Sequence, residues 1–256
     1  MRSSKPSIAE LRRVCQPASI VGRRSDEHWA GRLYMRGLSI YFTRAALSLG
    51  LSADGVTLLM LAVGLAGSTL LFVGGVWPAI GAFVGVQLYL LLDCVDGEVA
   101  RWNSTESPRG VYLDRISHYL VEATLLVGLG WRAGGGDDSV WLAVGLGAAL
   151  AAVLARIETD LVDAARAKSG MPAIGDEGSR IRAPALRLLR RIADFVPLHR
   201  ITGAVEASTL ILVAAVFDAV RSDLAASQWL VTAMVTVAAL VAVGHLVSVL
   251  ASDRLR

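Results

Sequence analysis

The sequence predicts an all-α integral membrane protein with six transmembrane helices and an N-terminal interfacial amphipathic helix. Three observations carry that prediction. Of 256 residues, 54% are apolar and 18% charged, against roughly 25% charged in soluble domains. Six stretches reach the roughly 20 apolar residues that a helix needs to cross a bilayer core of about 30 Å. Lys and Arg gather in alternate connections rather than spreading evenly. A soluble globular enzyme does not fit this pattern.

In chain order, residues 1–20 hold no apolar run followed by a small-residue cleavage site, so no cleaved signal peptide is expected. Residues 27–49 mix Trp29, Tyr34, Tyr41 and Phe42 with Arg32, Arg36 and Arg44, the composition of a helix lying at headgroup level. Residues 1–50 therefore read as a cytoplasmic arm and interfacial helix, and 51–256 as a six-span catalytic membrane domain. The spans fall at 53–74, 78–96, 110–130, 139–163, 202–221 and 228–250. Gly81 and Gly85 form a small-xxx-small pair suited to close helix packing. Glycines punctuate 131–138 and 167–178, which read as loops. Residues 184–196 set Leu186, Leu189 and Ile192 against Arg187, Arg190 and Arg191, a second surface helix favouring anionic lipid. No repeat suggests inverted transporter halves, and Cys15 and Cys94, in unlike settings, predict no disulfide.

Charge sets the orientation. Nine Lys and Arg precede the first span, two lie between the second and third, eight between the fourth and fifth, and two follow the sixth, 21 of the 25 in all. The opposite loops hold only Arg132 and Arg221. Both termini are therefore expected in the cytoplasm, and because the cations flank apolar segments, nucleic acid is not an expected partner despite the net charge of +3.

The chemistry lies between the second and third spans, in LLDCVDGEVARWNSTESPRGVYLDRISHYL. A carboxylate at mid-bilayer costs about 2.5–3.5 kcal/mol even on lenient scales, so Asp93, Asp96 and Asp114 must face a cavity or a cation. Asp93, Asp96, Gly97, Ala100 and Arg101 share one helix face, and Gly110, Asp114 and His118 another. Two antiparallel helices bring three carboxylates and an imidazole together, with small residues leaving room for a ligand. Such a hard donor set suits Mg²⁺ or Mn²⁺ carrying substrate phosphates.

Asp93-x2-Asp96-Gly97-x2-Ala100-Arg101-x8-Gly110-x3-Asp114 resembles the signature of the CDP-alcohol phosphotransferases, also called CDP-alcohol phosphatidyltransferases. Leu51-Ser-Ala-Asp54-Gly-Val-Thr57 resembles the segment opening the family's first span, with Asp54 replacing its usual Asn, and Ala165-Arg166-Ala167 its basic stretch after the fourth. The resemblance implies that Asp93, Asp96 and Asp114 hold Mg²⁺ or Mn²⁺, two ions in all, beside the diphosphate of a CDP-alcohol. Asp54, Thr57, Gly97, Ala100, Arg101 and Gly110 then shape the nucleotide site together with Asp93 and Asp96. It implies a bacterial-type plasma membrane enzyme of phospholipid synthesis, a homodimer with a cytoplasmic active site, that joins a hydroxyl acceptor to the donor's phosphoalcohol group and releases CMP. The family's fourth Asp, its general base, is here His118. That histidine is thus expected both as catalytic base, with Glu122 one turn on orienting its ring, and as a member of the metal group.

A phosphorylated substrate calls for cations, and Arg156, Arg166, Lys168 and Arg180 are the candidates. Glu206 and His245 are isolated polar residues within spans. The favoured reaction takes CDP-diacylglycerol and a polar alcohol; its inverse pairs a soluble CDP-polyol with a lipid acceptor. A catalytically silent CDP-binding relative and a small cation-coupled transporter remain open on sequence alone.

Overall fold

The computed structural model describes residues 6–17, 30–172, 201–252 and 254–255. Residues 184–196, with the second surface helix expected there, and Arg180 lie outside them. All regular structure among the described residues is helical. Helix α1 is Ile8–Cys15, α2 Arg36–Ser48, α3 Ala53–Thr69, α4 Val76–Asn103, α5 Pro108–Ala133, α6 Ser139–Lys168, α7 Ala204–Arg221 and α8 Ala225–Ala251. A π turn at Gly31–Met35 leads into α2, and a 3₁₀ turn at Leu70–Phe72 prolongs α3.

Local chemistry accounts for the boundaries. Helix α1, inside the segment read as an arm, opens with a capping box: Ser7 Oγ accepts from Glu10 N at 3.2 Å and Glu10 Oε2 accepts from Ser7 N at 2.9 Å. Ser52 Oγ accepts from Gly55 N at the start of α3, and Asp138 Oδ1 accepts from Val140 N at the start of α6. Pro108 opens α5, where its missing N–H leaves no helix bond unmade. Gly75, at φ +97°, makes the turn into α4.

Four helices are long and apolar enough to cross a membrane: Ala53–Phe72, Val76–Asn103, Ser139–Lys168 and Ala225–Ala251. The remaining two long helices match the other expected spans but carry more charge. Helix α5 contains Asp114, Arg115, Glu122 and Arg132, and α7 contains Glu206, Asp218 and Arg221.

The chain divides into two compact units, Met1–Thr124 and Leu125–Arg256. In the first, α3 and α4 approach until backbones touch: a Cβ on Gly67 would lie 2.9 Å from Gly85 Cα. The expected Gly81/Gly85 pair is thus a packing device, though Gly81 meets Leu70 rather than another glycine. Gly67→Ala is expected to lower stability by about 1–3 kcal/mol, the usual range for overpacking, read as a fall in melting temperature. Gly64 makes room for the Tyr89 ring and Val121, each within 3 Å of where its Cβ would sit.

On the other side of α4, Glu98 is fully buried. It accepts hydrogen bonds from Ser39 Oγ at 2.7 Å, Thr43 Oγ1 at 2.6 Å and Gln16 Nε2 at 2.8 Å, with Arg36 at 3.8 Å. This carboxylate ties α2 and the end of α1 to the helix bearing Asp93 and Asp96. The outer face of α2 exposes Leu38, Tyr41 and Phe42. Glu98→Ala strands those donors in the interior and is expected to cost about 3–5 kcal/mol, measured as loss of thermal stability.

In the second unit, Gly130 and Gly145 make another backbone contact. Buried Asp218 accepts from Ala226 N at 2.9 Å and Ser227 Oγ at 2.5 Å, holding the start of α8, with Arg132 at 3.9 Å. His245 Nδ1 lies 2.9 Å from Glu158 Oε2, so it joins α8 to α6. Glu206 Oε2 is buried and makes no hydrogen bond among the described residues.

Candidate active site

A cavity of about 300 Å³ opens in the first unit, lined by Ala53, Asp54 and Thr57 of α3, Asp93, Asp96, Gly97 and Ala100 of α4, the 105–107 turn, and Gly110, Val111 and Asp114 of α5. Helix periodicity on α4 and α5 places these residues on facing stripes, as their spacing predicts. Asp96 is 8% exposed. Its Oδ2 accepts from Thr57 Oγ1 at 2.7 Å and its Oδ1 from Gly97 N at 2.5 Å.

Asp93, Asp114 and His118 offer ligand atoms within 4.8 Å of one another. His118 Nε2 lies 3.2 Å from Asp93 Oδ1 and 3.4 Å from Asp114 Oδ1. Its other nitrogen, Nδ1, lies 2.5 Å from the Tyr89 hydroxyl, whose ring meets the imidazole edge-on at 79°. Tyr89 therefore contacts the ring at Nδ1, a partner not among those expected, while Glu122 is buried further along α5. The signal was present in the sequence: Tyr89 stands four residues before Asp93, on the same helical face. Three carboxylates lining one cavity, Asp93, Asp96 and Asp114, make a hard donor set that fits Mg²⁺ or Mn²⁺, with the His118 imidazole beside two of them.

No protein-family model matches the chain. Over 148 residues it is 30% identical to a phosphatidylinositol phosphate synthase of Mycolicibacterium smegmatis, a match covering 57% of this chain and 63% of that protein. Over 197 residues it is 29% identical to a phosphatidylinositol phosphate synthase of Streptomyces avermitilis, covering 75% of each. Both relatives bear the name of a phospholipid-forming synthase. The motif and these relatives make the chain similar to the CDP-alcohol phosphotransferase family. The fold agrees: the crystal structure of Mycobacterium tuberculosis phosphatidylinositol phosphate synthase in complex with manganese and citrate matches 84% of this chain and 90% of that one, with TM-score 0.58 and 20% identity.

Against the CDP-alcohol phosphotransferase signature, the structure gathers Asp54, Thr57, Asp93, Asp96, Gly97, Ala100, Gly110 and Asp114 around one cavity. Arg101 is placed differently. Its guanidinium covers Gly97, and its Nε donates to the Cys15 carbonyl at 2.9 Å, capping the end of α1. Asp54 pairs with Arg109 at 3.2 Å.

Of the other basic candidates, Arg156, Arg166 and Lys168 belong to α6 in the second unit. Arg166 donates to the carbonyls of Pro172, at 2.8 and 3.0 Å, and Arg254, at 2.5 Å, binding its own chain end. Lys168 is exposed and Arg156 half-buried.

Proposed function

We propose that this chain is a six-span enzyme that transfers the phosphatidyl group of CDP-diacylglycerol to the hydroxyl of a polar, phosphorylated alcohol and releases CMP. The observation that carries the reading is that Asp93, Asp96 and Asp114 line one cavity, with His118 within 4.8 Å of Asp93 and Asp114. The relatives' name, phosphatidylinositol phosphate synthase, supports a phosphorylated polyol as acceptor and a phospholipid as product. The distribution of Lys and Arg supports an active site and both termini on the cytoplasmic side. The exposed Leu38, Tyr41 and Phe42 support an α2 that lies at the membrane surface.

Asp93, Asp96 and Asp114 are the residues that hold the metal. Divalent cations there supply Lewis-acid stabilisation of negative charge developing on the phosphoryl oxygens. Thr57 and the Gly97 amide keep Asp96 aimed into the cavity. The acceptor oxygen forms a bond to the phosphorus that carries diacylglycerol, the bond from that phosphorus to CMP breaks, and the acceptor's proton passes to His118 Nε2. With Nδ1 engaged by Tyr89, the imidazole has one nitrogen for this work. A nitrogen lone pair cannot ligate metal and take a proton at once, so of its two expected roles we assign His118 that of base. Family relationship supports a homodimer.

The test is reconstitution of the purified chain in lipid with CDP-diacylglycerol, an inositol phosphate and Mg²⁺ or Mn²⁺. CMP release matched by a new phospholipid, identified by mass, is the expected result. Ion flux without CMP release would establish the transporter instead, and product formed only from a soluble CDP-polyol would reverse donor and acceptor.

A further inference from the structure

We propose that Arg109 is a positioning residue for the donor's diphosphate that acts by neutralising Asp54; the proposal rests on the reading of the cavity as a CDP-alcohol site. Five carboxylates line that cavity, Asp54, Asp93, Asp96, Glu106 and Asp114, and among the described residues its lining contains no Lys or Arg. Three of the five are assigned to metal. A diphosphate adds more negative charge, so a remaining carboxylate at the nucleotide's approach repels it unless a cation stands beside it.

Asp54 is one of the remaining two. It sits in the first turn of α3 and lines the cavity, its Oδ1 3.8 Å from where a Cβ on Gly110 would stand. A neutral Asn at this position would need no counter-charge. Here Arg109 Nε meets Asp54 Oδ2 at 3.2 Å. Arg109 directly precedes Gly110 of the motif, so the start of α5 delivers the cation and the glycine together.

The Arg109 side chain is 74% exposed, and pairs this exposed contribute little to folding. Its value on this reading is electrostatic, at the cavity, which separates it from a structural role. CDP binding to the purified full chain with Mg²⁺ is measured calorimetrically for wild type, Arg109→Ala, Asp54→Asn, Asp96→Asn and the Arg109→Ala/Asp54→Asn double variant. Arg109→Ala is expected to keep the wild-type melting temperature yet bind CDP about tenfold more weakly at low salt, equal to about 1.4 kcal/mol. Adding Asp54→Asn is expected to restore affinity to within about threefold of wild type. The Arg109→Ala defect is also expected to shrink at about 1 M salt, where the screening length is about 3 Å. Wild-type affinity in Arg109→Ala, or a double variant no better than Arg109→Ala, would overturn the proposal. Wild-type CDP affinity in Asp96→Asn would instead remove the nucleotide-site reading beneath it.

Discussion

Asparagine in place of Asp93, Asp96 or Asp114 is expected to abolish CMP release in each case while leaving the helices folded. The amide matches the carboxylate in shape, so packing survives. The Asp96→Asn side chain keeps an oxygen to accept the Thr57 hydroxyl, the bond that aligns Asp96 in the wild type. The negative charge is lost, and with it the ability to hold a divalent cation against a diphosphate that is itself anionic. Asp93 and Asp114 are 32% and 37% exposed, open to a metal from the cavity, whereas Asp96 is nearly enclosed. Removing the metal with a chelator is expected to have the same effect on the wild type and to be reversed by Mg²⁺ or Mn²⁺. Near-normal CMP release by all three folded variants would dispose of the metal assignment.

His118→Ala is expected to slow the chemical step by about 10²–10⁴-fold, the range for loss of a general base. His118→Asp is expected to recover part of that loss, because a carboxylate there can also accept the acceptor's proton. The loss in His118→Ala should persist at saturating Mg²⁺, since the three carboxylates remain. An Ala variant with wild-type kcat would end the proton-acceptor role, and full recovery on adding metal alone would make the ring a ligand instead.

The helices were legible because their signals are local. Apolar runs about 20 residues long, caps such as Ser52 and Asp138, and turn glycines such as Gly75 act within a few positions of themselves. Each expected span coincides with a helix, four of them long and apolar enough to cross a membrane, and α4 extends from the expected 78–96 to Val76–Asn103. Helix α1 was legible too, in Ser7-x2-Glu10, yet a short polar segment carries no apolar run to draw notice.

Glu98 shows the opposite case. Its sequence position, between Gly97 and Val99, carries the same chemistry as the aspartates beside it. Only packing separates them: one face of α4 meets the cavity, while the other meets Ser39 and Thr43 of α2. Arg101 reaches the Cys15 carbonyl with Nε while its guanidinium lies over Gly97, a pairing the motif does not announce.

By itself, then, the sequence determined the helices, the two facing stripes of carboxylates and a family resemblance, since periodicity and motif spacing are properties of a chain read along its length. The tertiary structure decided which partner each polar group took. Tyr89 and His118 are 29 residues apart, Asp54 and Arg109 further still, and no local rule links such positions. They meet because glycines let α3 and α4 close to backbone contact and the 104–107 turn brings α5 back antiparallel to α4. A buried polar group must then bond to whatever donor or acceptor that packing brings within about 3 Å.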